Sequence, residues 1–334
     1  MKRIVYLFVA LLMMATADAQ TLTERQKGLA ACACLMAQGD MNRLEPTVRM
    51  ALNKGVTINE LKEAFSQLYA YTGFPRSLNA LGVLSKVLEN KQPEWQEGKT
   101  WKRPAEWDDA MKAYELGVKN QTQLSGKPFN YEFCPQDDYY LKSHLFGDIF
   151  AGDQLSAADR EIVTVAALSG LDGVAPQLAA HKQGAVNMGN SKQQVDELCT
   201  WLCNEGYTLN TKWPKGEPNP YGKYFIGQSY LADVGGGVMN VTFEPCCRNN
   251  WHIHHKQVQV LICVAGRGWY QEWGKAPVEM TPGTVIAVPA EVKHWHGAQK
   301  DSWFQHLTYH KDVQEGAGNE WCEPVDDATY NALK

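Results

Sequence analysis

No Cys-X-X-Cys pair occurs in the 334 residues, no run of Lys and Arg, and no long apolar stretch after residue 15. Each absence removes a class of function. Nine cysteines at 32, 34, 134, 199, 203, 246, 247, 263 and 322 are too few and too irregular for a disulfide scaffold, and their odd number leaves one thiol over if all pairing is internal. Cys199 and Cys203 stand four apart on a helical pattern and are read as a buried pair of small apolar groups. A formal charge of −5 without basic clusters gives no electrostatic footprint for nucleic acid. The expected partner is a small-molecule substrate.

The one long apolar run, Ile4 to Ala15, falls short of the roughly 20 residues that a spanning helix needs. Lys2 and Arg3 precede it and Ala17-Asp18-Ala19 follows it, which is the pattern of a secretory signal peptide over residues 1–19. The expectation is a periplasmic or secreted protein with no membrane span. Cleavage removes Lys2, Arg3 and Asp18 and moves the formal charge from −5 to −6.

What remains changes character near residue 210. Residues 22–205 show helical spacing and helix punctuation, including capping boxes opened by Thr23 and Ser156. Residues 206–221 form a linker around the Pro/Gly-rich "KWPKGEPNPYG", and from 222 to 334 short β-branched and aromatic runs alternate with Gly and Pro. The helical part repeats itself. Leu44, Ala51, Asn53, Gly55, Leu61 and Glu63 stand opposite Leu178, Ala185, Asn187, Gly189, Val195 and Glu197, so units 22–90 and 140–205 form a duplicated all-α bundle. Gly55 and Gly189 are placed to end the second helix of each unit, with Thr57 and Ser191 capping the next.

With its "ALNKGVT" helix end and its "YAYTGFPRSLNAL" segment at 69–81, the helical part resembles the carboxymuconolactone decarboxylase family. The peroxidase-reductase branch of that family uses a CxxC pair, which this chain lacks, so thiol-peroxidase activity is not expected. In the decarboxylase branch a helical His lines a cleft. His181 matches it in the second unit, whereas Thr47 holds that place in the first. A composite site would combine Glu63, Tyr71 and Arg76 with His181; the alternative is that His181 is a satisfied helix-face histidine and the bundle a scaffold.

In "WHIHHKQVQVLICVAGRG", His252 and His254 are separated by one residue and share one face of a strand, the arrangement two ligands of one metal need. A second pair, His294 and His296, lies in "TPGTVIAVPAEVKHWHG". Two such pairs on separate strands point to a metal site. Strict alternation turns Gln259 away from His254, so it joins them only if the chain bulges or turns between them, with Gln257 as the other choice.

These blocks resemble the paired motifs of the cupin family, small all-β barrels. His252, His254, Gln259 and Gly266 fit the first motif; Gly283, Pro289 and His294 fit the second, with Glu291 where a Gly is usual and Ala298 where an Asn is usual. The fold class expected is therefore multidomain, an all-α duplicated bundle followed by an all-β cupin barrel. The ligand set, with "VLICVAGRGWYQEWG", "KHWHGA" and "FQHLTY", is similar to the manganese-dependent hydroxynitrile lyase, or (R)-mandelonitrile-lyase-like, cupins. That resemblance implies a divalent metal ion, manganese first, held by His252, His254, Gln259 and His294, with His296 and His306 facing substrate. Three imidazoles and one amide oxygen also leave open positions on a six-coordinate Fe, Co or Ni ion, and affinity order alone does not exclude Zn or Cu. An amide in place of the usual Glu leaves the ion a larger effective charge and a stronger Lewis acid.

His296 shares the inward face of His294, and Phe304, His306, Thr308 and His310 share a face on the next strand, which makes His296 and His306 candidates for acid and base. His255 and His310 are expected at the surface. Val260, Ile262 or Cys263, Trp269 and Trp303 are expected to shape the pocket, Cys263 most directly because it alternates with Gln259. The expected function is an exported metal-dependent lyase for a small oxygenated organic molecule, in a homo-oligomer. An Fe-dependent dioxygenase, a decarboxylase in the helical half and a non-catalytic binding cupin remain alternatives.

Overall fold

The computed structural model describes residues 21–333. The expected signal peptide lies outside the described residues. No helix among them is long and apolar enough to cross a membrane.

Ten α-helices come first: α1 (Glu24–Gln38), α2 (Met41–Asn53), α3 (Ile58–Gln67), α4 (Tyr69–Thr72), α5 (Phe74–Leu88), α6 (Ala110–Ser125), α7 (Pro135–Tyr140), α8 (Ala157–Ser169), α9 (Ala175–Asn187) and α10 (Lys192–Asn204). A π-helical segment, Leu141–Ile149, follows α7. The duplication is visible as α1–α2–α3 against α8–α9–α10. Thr57 and Ser191 each close a capping box, and Gly55 and Gly189 adopt φ of 87° and 115° directly after the second helices. From Leu29 to Ala37, α1 is fully buried and packs on α8 at the centre of the core. A helix apolar all round has no face to give to water.

Between α5 and α8, over residues 89–156, backbone touches backbone. A Cβ on Gly117 of α6 would sit 1.6 Å from Lys142 O, and one on Gly147 would sit 2.3 Å from Ala113 O. Only glycine permits this approach of α6 to the π-helical segment.

After α10 the chain is pinned on both sides. Arg43 donates to Gly206 O and Leu209 O at 3.0 and 3.1 Å, while Trp303 Nε1 donates to Cys203 O and Thr211 Oγ1 to Gln305 Oε1. The strands are β1 (Glu217–Pro218), β2 (Phe225–Ile226), β3 (Ser229–Gly235), β4 (Val238–Phe243), β5 (Arg248–Asn249), β6 (His252–His255), β7 (Val258–Gly266), β8 (Gly268–Glu272), β9 (Val278–Met280), β10 (Val285–Val288), β11 (His294–Ala298), β12 (Phe304–Lys311) and β13 (Gly318–Trp321). A final helix, α11, spans Asp327–Asn331. One sheet runs β1-β3-β4-β12-β7-β10; the other runs β13-β6-β11-β5-β2, with β8 on β11 and β9 on β8. Phe243, Leu261, Cys263, Tyr270, Val288 and Phe304 are among the residues that fill the space between them.

Candidate metal centre and helical cleft

In the antiparallel register of β6 and β11, His294 is the partner of His252. The pairing places the two HxH motifs side by side, and alternation turns His252, His254, His294 and His296 inward. His252, His254 and His294 each offer one ligand atom, all within 4.8 Å of one another.

The Nδ1 atoms are spoken for. His252 Nδ1 meets Asn250 O at 3.0 Å, His254 Nδ1 meets Asn319 Oδ1 at 2.6 Å and His294 Nδ1 meets Val292 O at 2.9 Å. Oxygen acceptors fix the proton on Nδ1 and leave Nε2 with a free lone pair, the arrangement a metal-binding histidine needs. His254 Nε2 is buried without a hydrogen-bond partner. Three neutral imidazoles with outward N–H groups satisfied and inward lone pairs converging fit a divalent cation.

Gln259 joins them. Lys256 takes φ of 56°, the chain turns between β6 and β7, and Gln259 Oε1 arrives 3.0 Å from His294 Nε2. Strict alternation does not apply across this turn, because the two residues belong to different sheets. Gln257, the other choice, instead donates to Asn319 Oδ1 at 3.0 Å and to Gly318 O. It braces the residue that orients His254.

His296 and His306 lie deeper. Their rings are 4.7 Å apart, edge to face, and Phe243 packs on both. Asn249 accepts from the His296 backbone N–H at 3.0 Å and sets its amide nitrogen 3.1 Å from His296 Nε2. His306 Nδ1 faces Leu307 O at 3.3 Å, and its Nε2 is buried without a partner. Burial, with the neighbouring histidines, holds His252 and His296 well below the usual imidazole range, and burial brings His254, His294 and His306 down to about 4. At neutral pH all five imidazoles are uncharged.

Several wall residues differ from expectation. Leu261 and Cys263 face the interior with Gln259. Trp303 instead packs with Cys203 and Leu209 where the helices meet the sheet, and Trp269 packs on the Trp251–Trp295 cluster, so neither lines the barrel interior. Val260 and Ile262 alternate to the other face of β7. His310 is exposed, yet its Nε2 lies 3.3 Å from His254 Nδ1. His255 is half-buried between Glu291 and Glu320, at 2.6 and 2.9 Å.

Of the composite set in the helical half, Tyr71 and His181 pack together, whereas Glu63 and Arg76 are held by other partners. Glu63 accepts from Arg160, from Gln154 N at 3.0 Å and from Leu155 N at 3.3 Å, so its carboxylate holds the loop before α8. Arg76 donates to Ala37 O. His181 pairs with Glu161 at 2.8 Å and packs edge-on against Tyr71 at 5.5 Å. Glu161 is fully buried, and its second oxygen, like the Tyr71 hydroxyl, has no hydrogen-bond partner. Sequence reasoning missed Glu161, Asn249 and Asn319. Only Glu161 left a signal, a carboxylate directly before the mostly apolar run 162–168 of α8.

Comparison with known proteins agrees with this division. The carboxymuconolactone decarboxylase family model matches residues 4–86 and 139–208, and the cupin domain model matches residues 239–304. The chain is 41% identical over 91 residues to an (R)-mandelonitrile lyase of Granulicella tundricola, covering 27% of this chain and 68% of the relative. It is 42% identical over 61 residues to Peroxisomal protein 2 of Saccharomyces cerevisiae, covering 18% of this chain and 21% of that protein. Among solved structures, a cupin-like protein of Thermotoga maritima is 30% identical and covers 36% of this chain and 95% of its own, with a TM-score of 0.34.

Proposed function

Because the chain belongs to the carboxymuconolactone decarboxylase family over its helical part and to the cupins over its β part, we propose that it is a metal-dependent cupin lyase that breaks or forms a carbon–carbon bond beside a hydroxyl or carbonyl group. Likeness to an (R)-mandelonitrile lyase supports a lyase-like enzyme acting on a small molecule. The observation that carries the reading is the orphaned, buried Nε2 of His306 behind three converging histidines.

His252, His254, His294 and Gln259 would hold the divalent cation, whose chemistry is Lewis-acid stabilisation of a developing alkoxide. The remaining work falls to the chain. His306 donates through Nδ1 to Leu307 O, so Nε2 carries the lone pair that takes the substrate's hydroxyl proton. As the carbon–carbon bond of a cyanohydrin breaks, cyanide leaves with the bonding pair, the carbonyl forms, and His306 returns the proton to cyanide. His296, held by Asn249, and Phe243 pack against His306 and shield its Nε2 from water. Neutral imidazoles suit both tasks, since a protonated one could neither ligate nor accept.

Mandelonitrile cleavage by the metal-loaded protein tests this. Benzaldehyde release at equal rates with and without oxygen, abolished by chelation and lowered about 100-fold or more in His306→Ala at unchanged metal content, is the expected result. Oxygen consumption with substrate would replace the lyase by a dioxygenase. Activity that survives His294→Ala would place the chemistry outside the barrel. Residues 1–19 support export as part of the same proposal, and the N-terminal sequence of the protein recovered outside the cytoplasm checks it.

A further inference from the structure

Exposed apolar side chains are unevenly placed among the described residues. Of seventeen large ones, ten stand between Phe74 and Tyr140 and only seven in all the rest. The ten form one belt on the helical half. Phe74 of α5 stacks on Tyr69 at 4.1 Å, Tyr69 lies 5.7 Å from His144, and Tyr140 stands four residues before His144 where α7 runs into the π-helical segment. Tyr140 meets Tyr139 at 6.1 Å, and Trp101 packs on Trp107 at 5.9 Å.

A cavity of about 740 Å3 opens within the belt, lined by Tyr69, Trp101, Trp107 and His144 among others and by no residue of the β strands. The loop before α7 extends the belt further. Phe129, Tyr131 and Phe133 follow one another at 6.4 Å, Phe133 is 89% exposed, and Asp138 of α7 accepts the Tyr131 backbone N–H at 2.8 Å.

Size separates this belt from ordinary surface. At roughly 150–250 Å2 for each aromatic side chain, the eight aromatic members, about half exposed, offer roughly 600–1,000 Å2 before Leu78 and Met111 are added. The largest apolar patch of a typical monomer is about 300–600 Å2. A stable protein interface takes about 800 Å2 from each partner.

Charge selects the partner. Residues 101–140 hold five Lys or Arg and seven Asp or Glu, so anionic lipid headgroups and nucleic acid find no attraction there. Lys102 and Lys127 are exposed without an ion pair among the described residues, and so are Glu132 and Asp137. Unpaired charge of both signs around an apolar centre is complementary to its own copy turned about a two-fold axis, where each residue meets the partner of its mate.

We propose that this belt is the interface of a two-fold homodimer, a second copy of the chain covering Phe74, Trp107, Phe133 and Tyr140 and closing the mouth of the cavity. Six of the ten exposed side chains lie in residues 87–138, which neither family model matches, so the surface is a feature of this chain rather than of the shared helical fold. It is independent of the chemistry in the barrel.

Sedimentation equilibrium of the full-length protein at micromolar concentration tests it. The expected mass is that of two chains. Phe133→Glu and Met111→Glu, both at exposed positions, should each raise the dimer dissociation constant about tenfold or more, whereas Val313→Glu, as exposed as Met111 but on the barrel, should leave it unchanged. A monomeric parent protein, an assembly that both belt variants leave intact, or one that Val313→Glu disrupts overturns the proposal. Hydrogen exchange gives a second reading without any substitution: amides of residues 101–140 should exchange more slowly as concentration rises from monomer to dimer, while those of the barrel strands should not, and equal behaviour overturns it. So does binding of a monomeric parent protein to phosphatidylglycerol vesicles that Phe133→Glu abolishes, which would assign the belt to a membrane surface.

Discussion

The carboxylate of Glu291 accepts the backbone N–H of Lys256 at 3.0 Å, and both residues hold left-handed backbones, with φ of 66° and 56°. Two unfavourable turns are thus tied together beside the candidate metal centre, one just after β6 and one just before β11. The first redirects the chain so that Gln259 reaches His294; the second aligns His294 itself. Glu291 occupies the place where the cupin pattern carries glycine, and its side chain compensates by bonding Lys256 N and His255 Nδ1.

Substituting this residue separates backbone strain from side-chain contact. Glu291→Gly removes the left-handed penalty together with the carboxylate, so the melting temperature should stay close to that of the parent protein. Glu291→Val keeps the strain, adds a β-branch and loses the carboxylate, and should melt lower and bind metal more weakly. Equal melting of the glycine and valine variants would show that φ at 291 is of no consequence.

Asn319 orients His254 from outside the paired motifs. Its Oδ1 fixes the proton on His254 Nδ1 at 2.6 Å and also accepts from Gln257. Asn319→Ala should weaken metal affinity roughly 10- to 100-fold while leaving the apo fold and its melting temperature nearly unchanged. Competition with a chelator, read by metal analysis of the desalted protein, measures the shift. Unaltered affinity would mean that tautomer control rests on burial alone.

Much of this arrangement is legible in the amino-acid sequence, and the limit is physical. Thr57, Ser191, Gly55 and Gly189 act within four residues of chain, so their capping roles follow from local geometry. The His252–His294 pairing follows from period-two alternation and two motif spacings. Asn319 has no such signal: it lies 65 residues from His254, and Asn on a strand carries no pattern of its own. The direction of Gln259 depends on one left-handed residue, Lys256, at which glycine would be the ordinary signal. Glu63 carries the repeat pattern and reads as a chemical group, but its partner Arg160 is 97 residues away and makes it structural. Residues 89–156 lie outside the matched helices α1–α3 and α8–α10, and the cavity they help to build has no sequence signature.

Burial should make most of the thiols inert. It pushes Cys34, Cys247 and Cys263 up to about 12, and Cys32 higher still. A raised thiol pKa means the neutral form persists as pH rises toward that value, so at pH 8 the thiolate fraction of those groups is about 10⁻⁴. Cys246, which is exposed, should react with a soluble thiol reagent within minutes, while Cys32, Cys34, Cys247 and Cys263 should react only after denaturation. Peptide mapping after brief labelling reads the pattern. Rapid modification of Cys32 or Cys34 in the native protein would show that the α1 core opens.

The contact of α6 with the π-helical segment should tolerate no side chain. At Gly117 an added Cβ would lie 1.6 Å from Lys142 O, a backbone atom that no rotamer change can move. Gly117→Ala should therefore force the two elements apart and destabilise the protein by about 3 kcal/mol or more, at the upper end of overpacking effects. The same displacement carries His144 and Asp148, which stand on the π-helical segment and line the helical cavity, so any ligand bound there should be lost as well. Gly82 of α5, whose added Cβ meets nothing within 4 Å, is the control: Gly82→Ala should hold or raise the melting temperature. Equal melting of the two alanine variants would mean that α6 and the π-helical segment do not meet this closely in solution.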